Sequence, residues 1–433
     1  MLKHMTWLIG IMFVVAACGT AAPGSPEAVQ ADEANATSPA AAEPTEPTTP
    51  ADDTDAEEGA TAPADKAATE EEETEVKPTE LAEQSPPLNA EREFTTDFSK
   101  TSIPFSEVLS GGPPKDGIPS IDEPMFISTS EADEWLEPTE PVVFLQIGED
   151  ARAYPIQILM WHEIVNDTVG DTPVIVTFCP LCNTAIAFER TVDGQVMDFG
   201  TTGRLRFSNL IMYDRQTETW WQQATGEAIV GEQVGAQLPF VPASIIAWSD
   251  FQESYPDGQV LSRDTGIQRD YGRNPYTGYD DINNSPFLYQ GPKTPGELPP
   301  VARVLTVDTE TEAIAYPYDV LAEVAVVNDT VAGQDIVVLW EFGTASALDA
   351  GTVAGGRDIG AASVYTRELD GQTLTFVRDG ERIIDEGTGS EWNVLGQAVS
   401  GDLAGAQLES VVSINHFWFS WAAFKPETRV YQP

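Results

Sequence analysis

Cysteine, histidine and basic residues are scarce in this chain of 433 residues: it has three cysteines, three histidines, and 22 lysines and arginines against 70 acidic residues. Three cysteines cannot build the multi-bridge framework on which small exported domains rely. A net charge of -48 repels phosphate backbones and anionic headgroups, which argues against nucleic acid and a charged lipid surface as partners. No nucleophile elbow, phosphate loop, dinucleotide fingerprint or H-E-x-x-H helix occurs, so the chemistries those motifs carry have no footing here.

The chain begins as an export signal does. Met1-Leu2-Lys3-His4 is basic and Trp7 to Ala17 is apolar, a run too short for the roughly 20 residues that span a bilayer. It ends in Val15-Ala16-Ala17-Cys18, which resembles the bacterial lipobox. That resemblance implies a signal segment 1–18 cut between Ala17 and Cys18, which leaves Cys18 as the first residue of the mature protein with a lipid on its sulfur. The alternative is an ordinary secretory signal with a chance cysteine. Gly19 follows instead of the aspartate that retains some lipoproteins, so cell membrane and outer membrane are both compatible, with the domain on the extracytoplasmic side. Residues 19–94, rich in Ala, Glu, Thr, Pro and Asp, bury too little apolar surface to offset ordering entropy and are expected as a disordered tether. The tether does not hold all the acidity. The first hundred residues carry 21 acidic and 5 basic side chains, which leaves a net of -32 on the other 333. A saline habitat and cation binding are two explanations that charge alone does not separate.

Comparing the chain with itself exposes an internal repeat. Ala153-Tyr154-Pro155 and Val165-Asn166-Asp167-Thr168-Val169 return 162 positions later as Ala315-Tyr316-Pro317 and Val327-Asn328-Asp329-Thr330-Val331. Gly235-Ala236-Gln237-Leu238 returns as Gly405-Ala406-Gln407-Leu408, and Trp221, Trp248 and Phe251 have counterparts in Trp392, Trp421 and Phe424. Two copies of one unit are expected, at 140–260 and 300–433, joined by a connector at 261–299 within one globular domain, 95–433. Pro155 suits the first turn of a helix running to about Val165. Thr172 to Phe178 reads as a buried strand, and Asp193-Gly194 and Asp370-Gly371 mark hairpins. The expected class is α+β, predominantly antiparallel β, as two pseudo-symmetric β-rich units with short helices.

Only two cysteines come after Cys18, and they form Cys179-Pro180-Leu181-Cys182 at the end of the buried strand of the first copy. The second copy reads Glu341-Phe342-Gly343-Thr344 there. A C-x-x-C pair chelates a soft metal, cycles as a dithiol or closes a disulfide. No histidine follows Cys182, which argues against covalent haem, and the alternation from Asn183 to Arg190 reads as a strand where a thioredoxin-like site has a helix. His162 and His416 are the only other histidines beyond the signal, and Val324 stands at the repeat position of His162. Two sulfurs and two imidazoles make a tetrahedral soft site, so Cys179, Cys182, His162 and His416 are the candidate ligands, for copper or zinc. A thiol-disulfide redox protein using the same pair is the rival.

The connector offers a third reading. Arg269, Tyr271, Arg273, Tyr276, Tyr279, Asp280 and Asp281 crowd a loop rich in Gly and Pro, as in a ligand-binding or adhesion surface. The bland alternative is a loop that glues the copies together.

At His162-Glu163-Ile164-Val165-Asn166-Asp167, Cys179-Pro180-Leu181-Cys182, Tyr271-Gly272-Arg273-Asn274-Pro275-Tyr276 and His416-Phe417-Trp418-Phe419-Ser420-Trp421 the chain resembles the domain of unknown function 3179 family, over about residues 95–433. The resemblance implies one coherent domain and brings no reaction or catalytic residues with it.

Overall fold

A computed structural model describes Leu81 and residues 84–433. The expected export signal 1–18, the expected lipidation site at Cys18 and most of the expected tether lie outside the described residues. Among the described residues no helix is long and apolar enough to cross a membrane. The domain is mostly antiparallel β with short helices.

In the first half, β1 (Pro141–Ile147) pairs antiparallel with β2 (Asp150–Pro155), and Pro155 leads directly into helix α1 (Ile156–His162). Pro155 is the last residue of β2 and the N-cap of α1, at φ -59° and ψ +128°, one position ahead of the first turn in which it was expected. α1 stops at His162, three residues before the expected end. Glu163 takes φ +58°, and its carbonyl accepts from the Phe178 N–H at 2.8 Å, so the chain turns straight into a strand. That strand, β3 (Ile164–Val169), pairs with β4 (Thr172–Cys179), and β4 with β5 (Thr184–Glu189). β6 (Phe199–Arg206) and β7 (Asn209–Asp214) form a neighbouring hairpin. β8 (Ala243–Ala247) and β9 (Gln259–Leu261) return to the first sheet, β8 antiparallel to β1 and β9 parallel to β2. Asp193 (φ +49°) and Gly194 (φ +78°) make the expected turn, but pairing ends at Val196 and does not reach Phe199.

The second half runs through the same order of elements. β10 (Arg303–Asp308), β11 (Ala313–Pro317), α2 (Tyr318–Val324), β12 (Val326–Val331), β13 (Gln334–Glu341) and β14 (Ala361–Thr366) succeed one another with the same pairings. β15 (Ile414–Phe417) is antiparallel to β10, and β16 (Arg429–Val430) is parallel to β11. Side chains match as well. Tyr154 OH donates to Asp167 at 2.6 Å and Tyr316 OH to Asp329 at 2.9 Å. Trp221 Nε1 donates to Asp214 at 2.9 Å and Trp392 Nε1 to Asp385 at 3.1 Å. The Asn166 side chain bridges the backbone of Phe199 as Asn328 bridges that of Phe376. The halves part after the central strand: a three-residue turn succeeds β4, whereas residues 342–360 succeed β13.

The tether was expected to extend to residue 94, yet the chain from Gln84 is already folded against the first half. Ala90–Glu93 is a helical turn, and the Phe94 ring meets those of Tyr213 at 5.3 Å and Trp220 at 5.2 Å, edge to face. Glu93 pairs with Arg204 at 2.8 Å. Burial of Phe94 contributes about 1.5–3 kcal/mol to this docking, and Ala90, Phe98 and Phe105 pack into the same cluster.

Candidate functional site

β4 delivers Cys179 to the interior, and Pro180–Cys182 forms a single 3₁₀ turn. Asn183, at φ +50°, reverses the chain into β5. Both cysteines are free and buried, with exposures of 2% and 0%. The tip of the β6–β7 hairpin lies against them. Its two turn residues, Phe207 (φ +52°) and Ser208 (φ +68°), hold left-handed conformations that favour Asn and Gly. This turn aims the Ser208 carbonyl at the pair, 3.3 Å from Cys182 Sγ and 3.8 Å from Cys179 Sγ. Donors reach the sulfurs from the same hairpin: Asn209 Nδ2 lies 3.5 Å from Cys182 Sγ, and the Leu210 N–H donates to Cys179 Sγ. Ile186, Met212 and Trp221 close the apolar surroundings. Burial pushes the Cys179 thiol well up, and the Cys182 thiol and the Glu163 carboxyl add to the shift.

Glu163 is the residue that sequence reasoning passed over. It caps α1 in the left-handed conformation, is 9% exposed, and has no hydrogen-bond partner for its carboxyl among the described residues. Burial pushes that carboxyl up to about 8. Ala325 occupies the same position in the second half at φ +60°, so the backbone geometry belongs to both halves and the carboxyl to one. The repeat alignment contained the signal, a Glu opposite an Ala beside the already noted His162.

The histidines do not join the cysteines. His162 Nδ1 lies 2.7 Å from the Pro119 carbonyl and Nε2 lies 2.6 Å from Tyr271 OH. A carbonyl only accepts, so Nδ1 carries the proton and Nε2 spends its lone pair on the tyrosine hydroxyl. Burial lowers its pKa. His416 is fully buried on β15, and its Nδ1 is 2.9 Å from Thr184 Oγ1. Its Nε2 has no partner among the described residues, and the ring lines, with Asn183, Arg303 and Tyr318, a cavity of about 20 Å³, the room of one water. Burial takes its pKa down to about 3, so it is neutral. No three His, Cys, Asp or Glu side chains among the described residues come together as metal ligands. The expected set of two sulfurs and two imidazoles is therefore not assembled: the thiols meet each other, and each imidazole is held elsewhere.

The connector covers the thiols. Tyr271, Tyr276 and Tyr279 turn inward onto the core in place of the expected outward-facing ligand surface. Tyr279 OH donates to the Leu181 carbonyl inside the cysteine turn at 3.0 Å, and Ser208 Oγ donates to the Phe287 carbonyl at 2.5 Å. Asp280 is buried, paired with Arg303 at 2.6 Å and Arg357 at 2.9 Å, and bonded by Ser346 at 2.5 Å. Burial works against its charge, but the two arginines and Ser346 outweigh it and hold the carboxyl below the usual range. Arg269, Arg273 and Asp281 lie on the exposed side. Residues 342–360 grip the loop from beyond: Asn274 donates to the Ala350 carbonyl at 2.8 Å, and the Val353 N–H donates to Gly272 at 2.9 Å.

These features define a two-part antiparallel β protein with a thiol pair sealed beneath a tyrosine-bearing connector. The chain belongs to the family described as Protein of unknown function (DUF3179), whose profile matches residues 115–428 and so takes in the thiols, connector and His416. Neither a curated protein nor a solved structure matches the chain.

Proposed function

We propose that this protein is a lipid-anchored extracytoplasmic binder of a soft metal, held to the membrane through Cys18, with the thiolates of Cys179 and Cys182 as its ligands. The supporting observation is two adjacent, free, buried sulfurs that receive N–H donors from Asn209 and Leu210. Such donors stabilise a thiolate once its proton has left. Of the two metals the sequence suggests, copper(I) fits better. Soft thiolates suit both metals, but a structural zinc site takes four protein ligands, whereas copper(I) is satisfied by two thiolates. Thiol-disulfide exchange fits less well, since it needs an accessible thiolate of lowered pKa and burial raises that of Cys179. We also infer that 140–260 and 300–433 arose from one unit by duplication. The recurring strand order and the three recurring side-chain bonds support this, and the thiols belong to one copy only.

Titration of copper(I) against a competing chelator tests the proposal. The expected result is one copper per full-length chain, none in Cys179→Ser/Cys182→Ser, and full binding in His162→Ala and His416→Ala, with circular dichroism verifying each fold. Equal, sub-stoichiometric copper in the wild type and the double serine variant sinks it.

A further inference from the structure

The second half has an open cleft where the first half is sealed. It has a volume of about 890 Å³ and is lined by Ala325, Trp340 and Glu341, which stand where the first half has Glu163, Phe178 and Cys179. Its aromatic wall is Trp340 with Phe342, the ring centroids 4.3 Å apart and edge to face. Phe342 is 59% exposed, so a ring face is free in the cleft mouth, and Val399 nearby is 54% exposed. Trp340 is only 3% exposed and backs the Phe342 ring, with its indole N–H buried and without an acceptor among the described residues.

Four carboxylates surround this wall: Glu253, Glu341, Glu381 and Glu391. None of the four has a salt-bridge partner among the described residues. Of the two arginines of the cleft, Arg382 is paired with Asp379, while Arg378 bonds only to carbonyls among the described residues, that of Gly380 at 2.8 Å, so its unpaired positive charge is outnumbered by the four carboxylates. Glu341 touches solvent, yet the surrounding walls raise its pKa, and Glu253 and Glu391 raise it further. The carboxylates do not converge as ligands of one metal ion. Separated negative charges beside an open aromatic face match a cation that is itself extended and partly apolar.

We infer that this cleft binds an alkylammonium ligand, carried either by a free polyamine or by lysine side chains of a polypeptide, with Glu341 and Phe342 as its central contacts. The inference stands apart from the thiol site. Calorimetric titration of the full-length protein with spermidine at physiological salt tests it, with trilysine and its Nε-acetylated form as separate arms. One spermidine or trilysine site per chain is expected, about tenfold weaker in both Glu341→Gln and Phe342→Ala, a loss of about 1.4 kcal/mol. Affinity in Cys179→Ser/Cys182→Ser is expected to be unchanged. Tighter binding of trilysine, abolished by acetylation, assigns the site to a polypeptide; tighter binding of spermidine assigns it to a polyamine. Since Phe342 is exposed, its variant keeps the fold and the test stays decisive. No saturable binding, wild-type affinity in either variant, or full displacement by equimolar calcium overturns the inference.

Discussion

The two halves share strand order, register and three recurring side-chain bonds, and they differ in the segment after the strand that ends at Cys179 in one and Glu341 in the other. In the first half a three-residue turn keeps two thiols inside, under the connector. In the second, residues 342–360 extend away and leave an open cleft beside Glu341. The two differences are linked, because that extension grips the connector that seals the thiols. A long loop in one half has thus become part of the cover of the other. The scaffold fixes where a site falls, and the loops decide whether it is sealed or open.

The largest expected effect breaks the cover. Asp280→Ala leaves Arg303, buried on β10, without its counter-charge, and losing one partner of a buried pair costs about 3–5 kcal/mol. Urea denaturation at neutral pH measures the loss, and a thiol reagent is expected to reach Cys179 and Cys182 faster in the variant. Because the folded Asp280 carboxyl lies below its ordinary value, its contribution is present above pH about 4 and is lost as pH falls through the folded value.

A smaller effect makes the halves more alike. Folded Glu163, at about 8, binds its proton more tightly than the unfolded chain, whose value is about 4.3. It therefore costs stability progressively as pH rises from about 4 to about 8. Glu163→Gln removes that cost, and a gain of roughly 2–4 kcal/mol near pH 8, vanishing near pH 4, is expected in thermal melts.

Much of the fold was legible in the sequence. The displaced Tyr-Pro and Val-Asn-Asp-Thr-Val motifs carry residues whose bonds recur, Tyr154 with Asp167 and Tyr316 with Asp329. Asp-Gly dipeptides placed both hairpins because only a few residues tolerate two successive positive φ values. The site was legible only in part. Cys179 and Cys182 lie close in sequence and had to be neighbours, whereas His162 and His416 are 254 positions apart and their orientations depend on partners such as Pro119, Tyr271 and Thr184. The inward turn of the connector tyrosines was hidden for the same reason, since residues 342–360 that grip the loop carry no periodic pattern. Phe94 was lost in the averaged composition of an otherwise polar segment.

Copper K-edge X-ray absorption on the copper(I)-loaded, full-length protein tests the central claim most directly. A coordination shell of sulfur alone, at low coordination number and unchanged in His162→Ala and His416→Ala, is the predicted result. A shell containing imidazole nitrogen, or one that persists without Cys179 and Cys182, would contradict it.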